Sequence, residues 1–117
     1  MAKNGKYSNA LHISLPAPYD VLSGAPVRVG SVCGVAQIDA KAGEPVTIHL
    51  DRSWDVQVTG AIATPGLPVY ITAAGALNIT AAGNYLFGIA LSTKAAAGIG
   101  TVEVAPIGYT TQTAPGA

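Results

Sequence analysis

Glycine and proline recur so often along this chain that they restrict it to short extended segments. The 117 residues include 14 Gly and 8 Pro, and both residue types destabilise the interior of a helix. No window between them is long enough for the i, i+3, i+4, i+7 apolar spacing of an amphipathic helix. The chain is therefore predicted to be all-β, a small β-barrel or β-sandwich of short strands with Gly/Pro turns.

The clearest strand pattern covers residues 46–58, where apolar and polar side chains alternate. One face carries Val46, Ile48, Leu50, Trp54, Val56 and Val58, and the other carries Thr47, His49, Asp51, Asp55 and Gln57. Because so long a strand usually bends, a bulge or turn is predicted at Asp51-Arg52-Ser53. Further strands are predicted at residues 26–29, 32–38, 69–72, 76–80, 85–91 and 101–107. Residues 85–91 are apolar on both faces, which indicates either a central strand or one covered by a second subunit.

Short motifs of the first half recur in the second half. Gly24-Ala25-Pro26-Val27 is followed later by Gly66-Leu67-Pro68-Val69, Gly34-Val35-Ala36 by Gly88-Ile89-Ala90, and Val46-Thr47-Ile48 by Val102-Glu103-Val104. Either the two halves are related, or the chain merely reuses the same turn residues. One β domain is predicted over residues 20–108. Residues 1–19 and 109–117 are predicted to be a flexible N-terminal arm and a C-terminal tail that a partner orders.

Charge and composition exclude several classes of partner. Six basic residues balance six acidic ones, and only 10% of residues are charged, so no electrostatic field attracts nucleic acid or an anionic membrane. The chain has no apolar segment long enough for a membrane span, and its start lacks the apolar region of a secretory signal. Synthesis in the cytoplasm is therefore expected. The single cysteine, Cys33, lies between apolar residues and is predicted to be buried rather than reactive.

Candidate catalytic residues are few. His49 and Asp51 lie two positions apart on one strand face, a spacing that suits a metal pair or a base and its orienting carboxylate. Such residues are ordinary on the polar face of a sheet, and this interpretation is preferred because the only other histidine, His12, lies in a segment without a predicted strand. Ser31 or Ser53 could be combined with His49 and Asp55 into a Ser-His-Asp set. Neither serine has the flanking glycines of a nucleophile elbow, so the sequence gives this triad little support. We therefore expect the protein to have no enzymatic activity and to bind neither a cofactor nor a metal ion.

Trp54 is the only tryptophan, and it suits either core packing or an interface anchor. An exposed Trp54 would also suit a carbohydrate- or host-surface-binding module, because sugars stack on aromatic rings. That module is the alternative function.

The order of the motifs resembles a known family. MAKN, SGAPVRVGSVCGVAQIDAKAGEPVTIHLDRSWDV, GLPVYITAAGALNIT, GNYLFGIAL and TVEVAPI follow one another over residues 1–108. This series is similar to the capsid cement, or head decoration, proteins of tailed phages.

The resemblance implies a structural, non-enzymatic protein of the virion. Such a protein would bind the major capsid protein on the outer surface of the expanded head, as a trimer or else a dimer, and hold neighbouring capsid subunits together. The residues expected at the capsid or protomer interface are Tyr7, Leu11 and Ile13 of the arm, together with Trp54.

Overall fold

The computed structural model describes residues 11–110, Gln112, Pro115 and Gly116. This part of the chain contains strands and no helix, which confirms the all-β prediction. The strands are β1 (His12–Pro16), β2 (Pro26–Val29), β3 (Val32–Ala36), β4 (Pro45–His49), β5 (Trp54–Thr59), β6 (Pro68–Ile71), β7 (Leu77–Asn78), β8 (Tyr85–Ala90), β9 (Ile99–Pro106) and β10 (Gly108–Tyr109). The described part of the chain thus has no helix that could span a membrane.

The first half of the chain forms an open antiparallel sheet. Strand β1 pairs with β4, and β4 pairs with β3. Strand β2 runs along one edge of β3, whereas β4 and β10 share its other edge. Because β10 comes from the end of the chain, it fastens the C-terminal half to the first sheet.

The second half closes into a barrel in the order β5-β7-β6-β8-β9. Among the strand pairs of the barrel, only β5–β7 is parallel. Strand β8 pairs with β6 on one side and β9 on the other, and Phe87 and Ala90 on it are fully buried. The apolar character of residues 85–91 thus reflects a central strand, which was one of the two interpretations of this segment.

The predicted break after β4 is present. Strand β4 ends at His49 and β5 begins at Trp54. Between them Arg52 has a φ of 67°, a left-handed conformation that bulky residues rarely adopt. This turn passes the chain from the open sheet to the barrel.

The repeated motifs occupy equivalent positions in the two halves. Val27 pairs with Gly34 as Val69 pairs with Gly88, and Ala36 pairs with Ile48 as Ala90 pairs with Val104. The loops agree as well, since Gly24 N donates to Ala36 O and Gly66 N to Ala90 O. The repeat therefore extends to strand pairing and loop hydrogen bonds, with β7 as an addition to the second half.

Two clusters of buried apolar side chains hold these layers together. Phe87 and Ile71 belong to the larger cluster, inside the barrel, and Ile48 and Val46 to the cluster beneath the first sheet. Cys33 projects from β3 into the barrel cluster, and its thiol donates to Leu86 O at 3.3 Å. The two halves are therefore packed against each other through β3.

Cys33 is buried as predicted, with 1% of its surface exposed. Burial raises the pKa of its thiol to about 11, against a smaller opposing effect of Arg28. Because the thiolate is the reactive form, the protonated and enclosed thiol is unsuited to nucleophilic chemistry at neutral pH.

Part of the predicted N-terminal arm, residues 1–19, lies in the described region. There β1 pairs with β4 in a continuous register from His12–His49 to Pro16–Pro45. Residues 1–10 lie outside the described residues.

At the C-terminal end, Gly108 and Tyr109 pair with β3, and Gln112 accepts a hydrogen bond from Leu86 N at 2.8 Å through its side-chain oxygen.

Candidate functional site

The expected interface residues of the arm lie in different surroundings. Tyr7 lies outside the described residues. Leu11 is exposed over 38% of its surface, whereas Ile13 is buried in the core under the first sheet. Leu11 therefore presents an apolar side chain to the outside, and Ile13 anchors β1 within the protein.

Trp54 begins β5 and is half-buried. Its indole N–H donates to Asp51 O at 2.9 Å, and its ring lies 5.3 Å from the ring of His49, measured between centroids. The side chain also packs against the barrel core. Trp54 thus fastens the β4–β5 turn, and only part of its ring is open to a partner.

The structure brings the two histidines together. His12 and His49 face each other across β1 and β4. Leu50 N donates to Leu11 O at 2.8 Å, which makes the Leu11–Leu50 pair hydrogen-bonded and the adjacent His12–His49 pair non-hydrogen-bonded. Side chains approach most closely at such pairs. The two imidazole centroids are accordingly 4.2 Å apart, in an edge-to-face arrangement.

Asp51 completes a group that we call the histidine cluster, formed by His12, His49 and Asp51. The Asp51 carboxylate lies 3.1 Å from His12 Nε2 and 3.8 Å from His49 Nδ1. The second distance is too long for a hydrogen bond. His49 Nδ1 is fully enclosed and has no hydrogen-bond partner, a rare state for a buried polar atom.

The surroundings of His49 favour its neutral form. Burial is the main reason that its pKa is lowered, and His12 adds to the effect, whereas Asp51 opposes it. At neutral pH His49 therefore presents an uncharged imidazole beside the Asp51 carboxylate.

The serines considered for a catalytic triad point elsewhere. Ser31 donates its hydroxyl to Gln112 O at 3.0 Å, and Ser53 donates its own to Glu103 at 2.5 Å. Asp55 lies on the exposed face of β5. Neither Ser31 nor Ser53 is thus directed at His49 as a nucleophile.

Several large apolar side chains are exposed on the described surface. They are Leu11, Leu22, Ile38, Ile79, Leu91, Ile99, Ile107 and Tyr109. Leu22 and Ile99 are the most exposed, at 70% each, and both line a groove of about 410 Å³ between the first sheet and the barrel. Leu22 and Ile99 thus share one groove, whereas apolar residues exposed singly are normal on any protein surface.

Sequence reasoning identified His49 and Asp51 but left His12 without a place. The alternation of Ile13 and Leu15 with polar neighbours was the available signal for β1. The pairing of β1 with β4 could not be read from it, because the His12–His49 contact joins residues 37 positions apart in sequence.

Comparisons with known proteins identify the family. A family model described as phage cement protein matches residues 7–106, which includes both halves of the fold. A search of curated proteins found no significant match. The chain therefore belongs to the phage cement protein family, whose name denotes a structural component associated with a phage capsid.

Proposed function

We propose that this protein binds the outer surface of an expanded phage head and stabilises the shell without catalysing a reaction. The match of the phage cement family model to residues 7–106 carries the proposal. The physical basis is linkage, since a protein that binds the assembled shell but not its separated subunits stabilises the shell by its binding free energy.

The exposed surface of the protein suits this role. It combines exposed apolar side chains with a formal net charge of zero, so copies can sit close together without strong mutual repulsion. A trimer, or else a dimer, that matches a symmetry axis of the head would gain effective concentration for its second and third contacts.

The proposed contact residues lie near the start of β1. Leu11 and the open part of Trp54 would face the major capsid protein or a neighbouring protomer, and Tyr7 would extend this surface. Ile13 would act indirectly, because its burial holds β1 in place.

Cosedimentation with expanded, undecorated heads tests the proposal. We expect saturable binding at a copy number that corresponds to a symmetry axis, with light scattering giving the mass of the free protein in the same buffer. Unexpanded proheads serve as the control. An absence of binding to any cognate head would refute the cement role, and quenching of Trp54 fluorescence by oligosaccharides would then favour the carbohydrate-binding alternative.

The contact residues can be tested in the same assay. Leu11→Ser should weaken head binding by about tenfold if Leu11 is an interface anchor, corresponding to about 1.4 kcal/mol. Ile38→Ser, another exposed apolar residue, is the matched control and should bind as the wild type does. Deletion of residues 1–10 tests Tyr7 while retaining β1, whose residues pair with β4. Unchanged affinity in both Leu11→Ser and the deletion variant would exclude Leu11 and Tyr7 as contact residues.

A further inference from the structure

The histidine cluster has a feature that the cement role does not use. His12 Nε2, His49 Nδ1 and an Asp51 carboxylate oxygen all lie within 4.8 Å of one another. Two imidazole nitrogens and a carboxylate form a common set of protein ligands for zinc.

The spacing of these atoms is close to that of a metal site. Ligand distances near 2.0–2.2 Å in a tetrahedral zinc site place neighbouring ligand atoms about 3.3 Å apart. The carboxylate of Asp51 lies 3.1 Å from His12 Nε2 and 3.8 Å from His49 Nδ1. Since no two of the three atoms are more than 4.8 Å apart, modest side-chain rotations would bring all of them into contact with one ion.

The backbone holds the ligands in position. His12 and His49 are fixed as a cross-strand pair of β1 and β4. Asp51 lies in the β4–β5 turn, where its own backbone carbonyl accepts a hydrogen bond from the Trp54 indole N–H at 2.9 Å. Such preorganisation reduces the entropy lost when an ion is bound.

The enclosed nitrogen of His49 is a second, independent indication. Nδ1 is buried, lacks a hydrogen-bond partner and lies toward the Asp51 carboxylate. Burying an unpaired polar atom costs free energy. A metal ion between Nδ1 and the carboxylate would accept the lone pair of Nδ1 and so give this nitrogen a partner.

We propose that His12 Nε2, His49 Nδ1 and the Asp51 carboxylate bind one zinc ion per chain, with water in the fourth position. The ion would link the start of β1 to the β4–β5 turn. It would thereby stabilise the strand that follows the exposed Leu11.

Zinc titration of the tag-free, full-length protein after chelator treatment tests this proposal. Isothermal titration calorimetry should show one saturable site per chain, and the unfolding temperature should rise with zinc concentration because only the folded state holds the three ligands together. A failure to bind zinc in a one-to-one ratio would overturn the proposal. The assay uses no phage head, so its outcome is separate from that of the cement role.

Variants locate the site. His12→Gln and Asp51→Asn should each weaken zinc binding by more than about tenfold, since loss of even an outer-shell partner costs about 10–100-fold. Asp55→Asn, on the exposed face of β5, is the matched control and should bind zinc as the wild type does. His12 is 44% exposed, so its replacement tests the site without disturbing the core. Undiminished zinc binding in His12→Gln would assign the ion to other residues and overturn the proposal.

Trp54 supplies a local spectroscopic readout. Its ring lies 5.3 Å from that of His49, and it is the only tryptophan. Paramagnetic Ni²⁺ or Co²⁺ at the histidine cluster should therefore quench its fluorescence in the wild type and Asp55→Asn, but not in His12→Gln. Equal quenching in all three proteins would contradict the assignment.

Discussion

Replacement of Gly88 by alanine is expected to destabilise the protein by about 3 kcal/mol, the upper end of the usual range for overpacked cores. A Cβ atom at this position would lie 2.3 Å from Ala105 O and 2.9 Å from Pro106 Cα. Both are backbone atoms of β9, the strand that pairs with β8 at this point. Relief of the clash would require the two strands to separate.

Chemical denaturation followed by far-UV circular dichroism measures this effect. Total stabilities of about 5–15 kcal/mol are usual, so the variant should unfold at a much lower denaturant concentration than the wild type. Gly98→Ala is the matched control, since a Cβ at that position would have no other atom within 4 Å, and its stability should change by less than about 0.5 kcal/mol. Equal stability of the two variants would show that the β8–β9 contact is not a constraint.

The same substitution at Gly34 tests the internal repeat. A Cβ there would lie 2.3 Å from His49 O, the same close approach in the first half that Gly88 makes to Ala105 O in the second. Gly34→Ala should consequently lose a similar amount of stability. The close approach of paired strands is a physical reason for glycine at both positions, beyond the needs of turns.

The sequence allowed most of the strands to be predicted, because they are short, alternate in polarity and lie between turn residues. The break at Asp51-Arg52-Ser53 was predictable for the same reason, since three consecutive polar residues interrupt the alternation. Strand β10 was missed because it consists of only Gly108 and Tyr109, too few residues to show a period. Strand β1 was assigned to an arm, yet it completes the first sheet.

The histidine cluster shows a different limit of sequence reasoning. The spacing of His49 and Asp51 placed both residues on one strand face, but two ligands specify little. The third ligand, His12, depends on the register between β1 and β4. That register is set by the burial of Ile13 opposite Ile48, a long-range packing effect that local patterns do not contain.

Phe87→Ala is expected to cost about 3–5 kcal/mol, as is usual for a truncated buried phenylalanine. Phe87 is the only phenylalanine in the chain, is fully buried and lies in the barrel cluster. Phe87 lies on β8, whose neighbours β6 and β9 are strands of the closed barrel. Closure of the barrel limits how far these strands can move to fill the cavity that the missing ring would leave. Ile99→Ala, at a residue that is 70% exposed, is the control and should remain within about 0.5 kcal/mol of the wild type.

The way in which Phe87→Ala unfolds also bears on the relation between the two halves. Trp54 fluorescence reports the turn between them, whereas far-UV circular dichroism reports all strands. Because Cys33 of β3 packs in the barrel cluster and β10 pairs with β3, we expect both signals to change in one coincident transition. Two separate transitions would mean that the first sheet persists without the barrel. A single transition would mean that the repeated halves, despite their equivalent strand pairing, fold only as one unit.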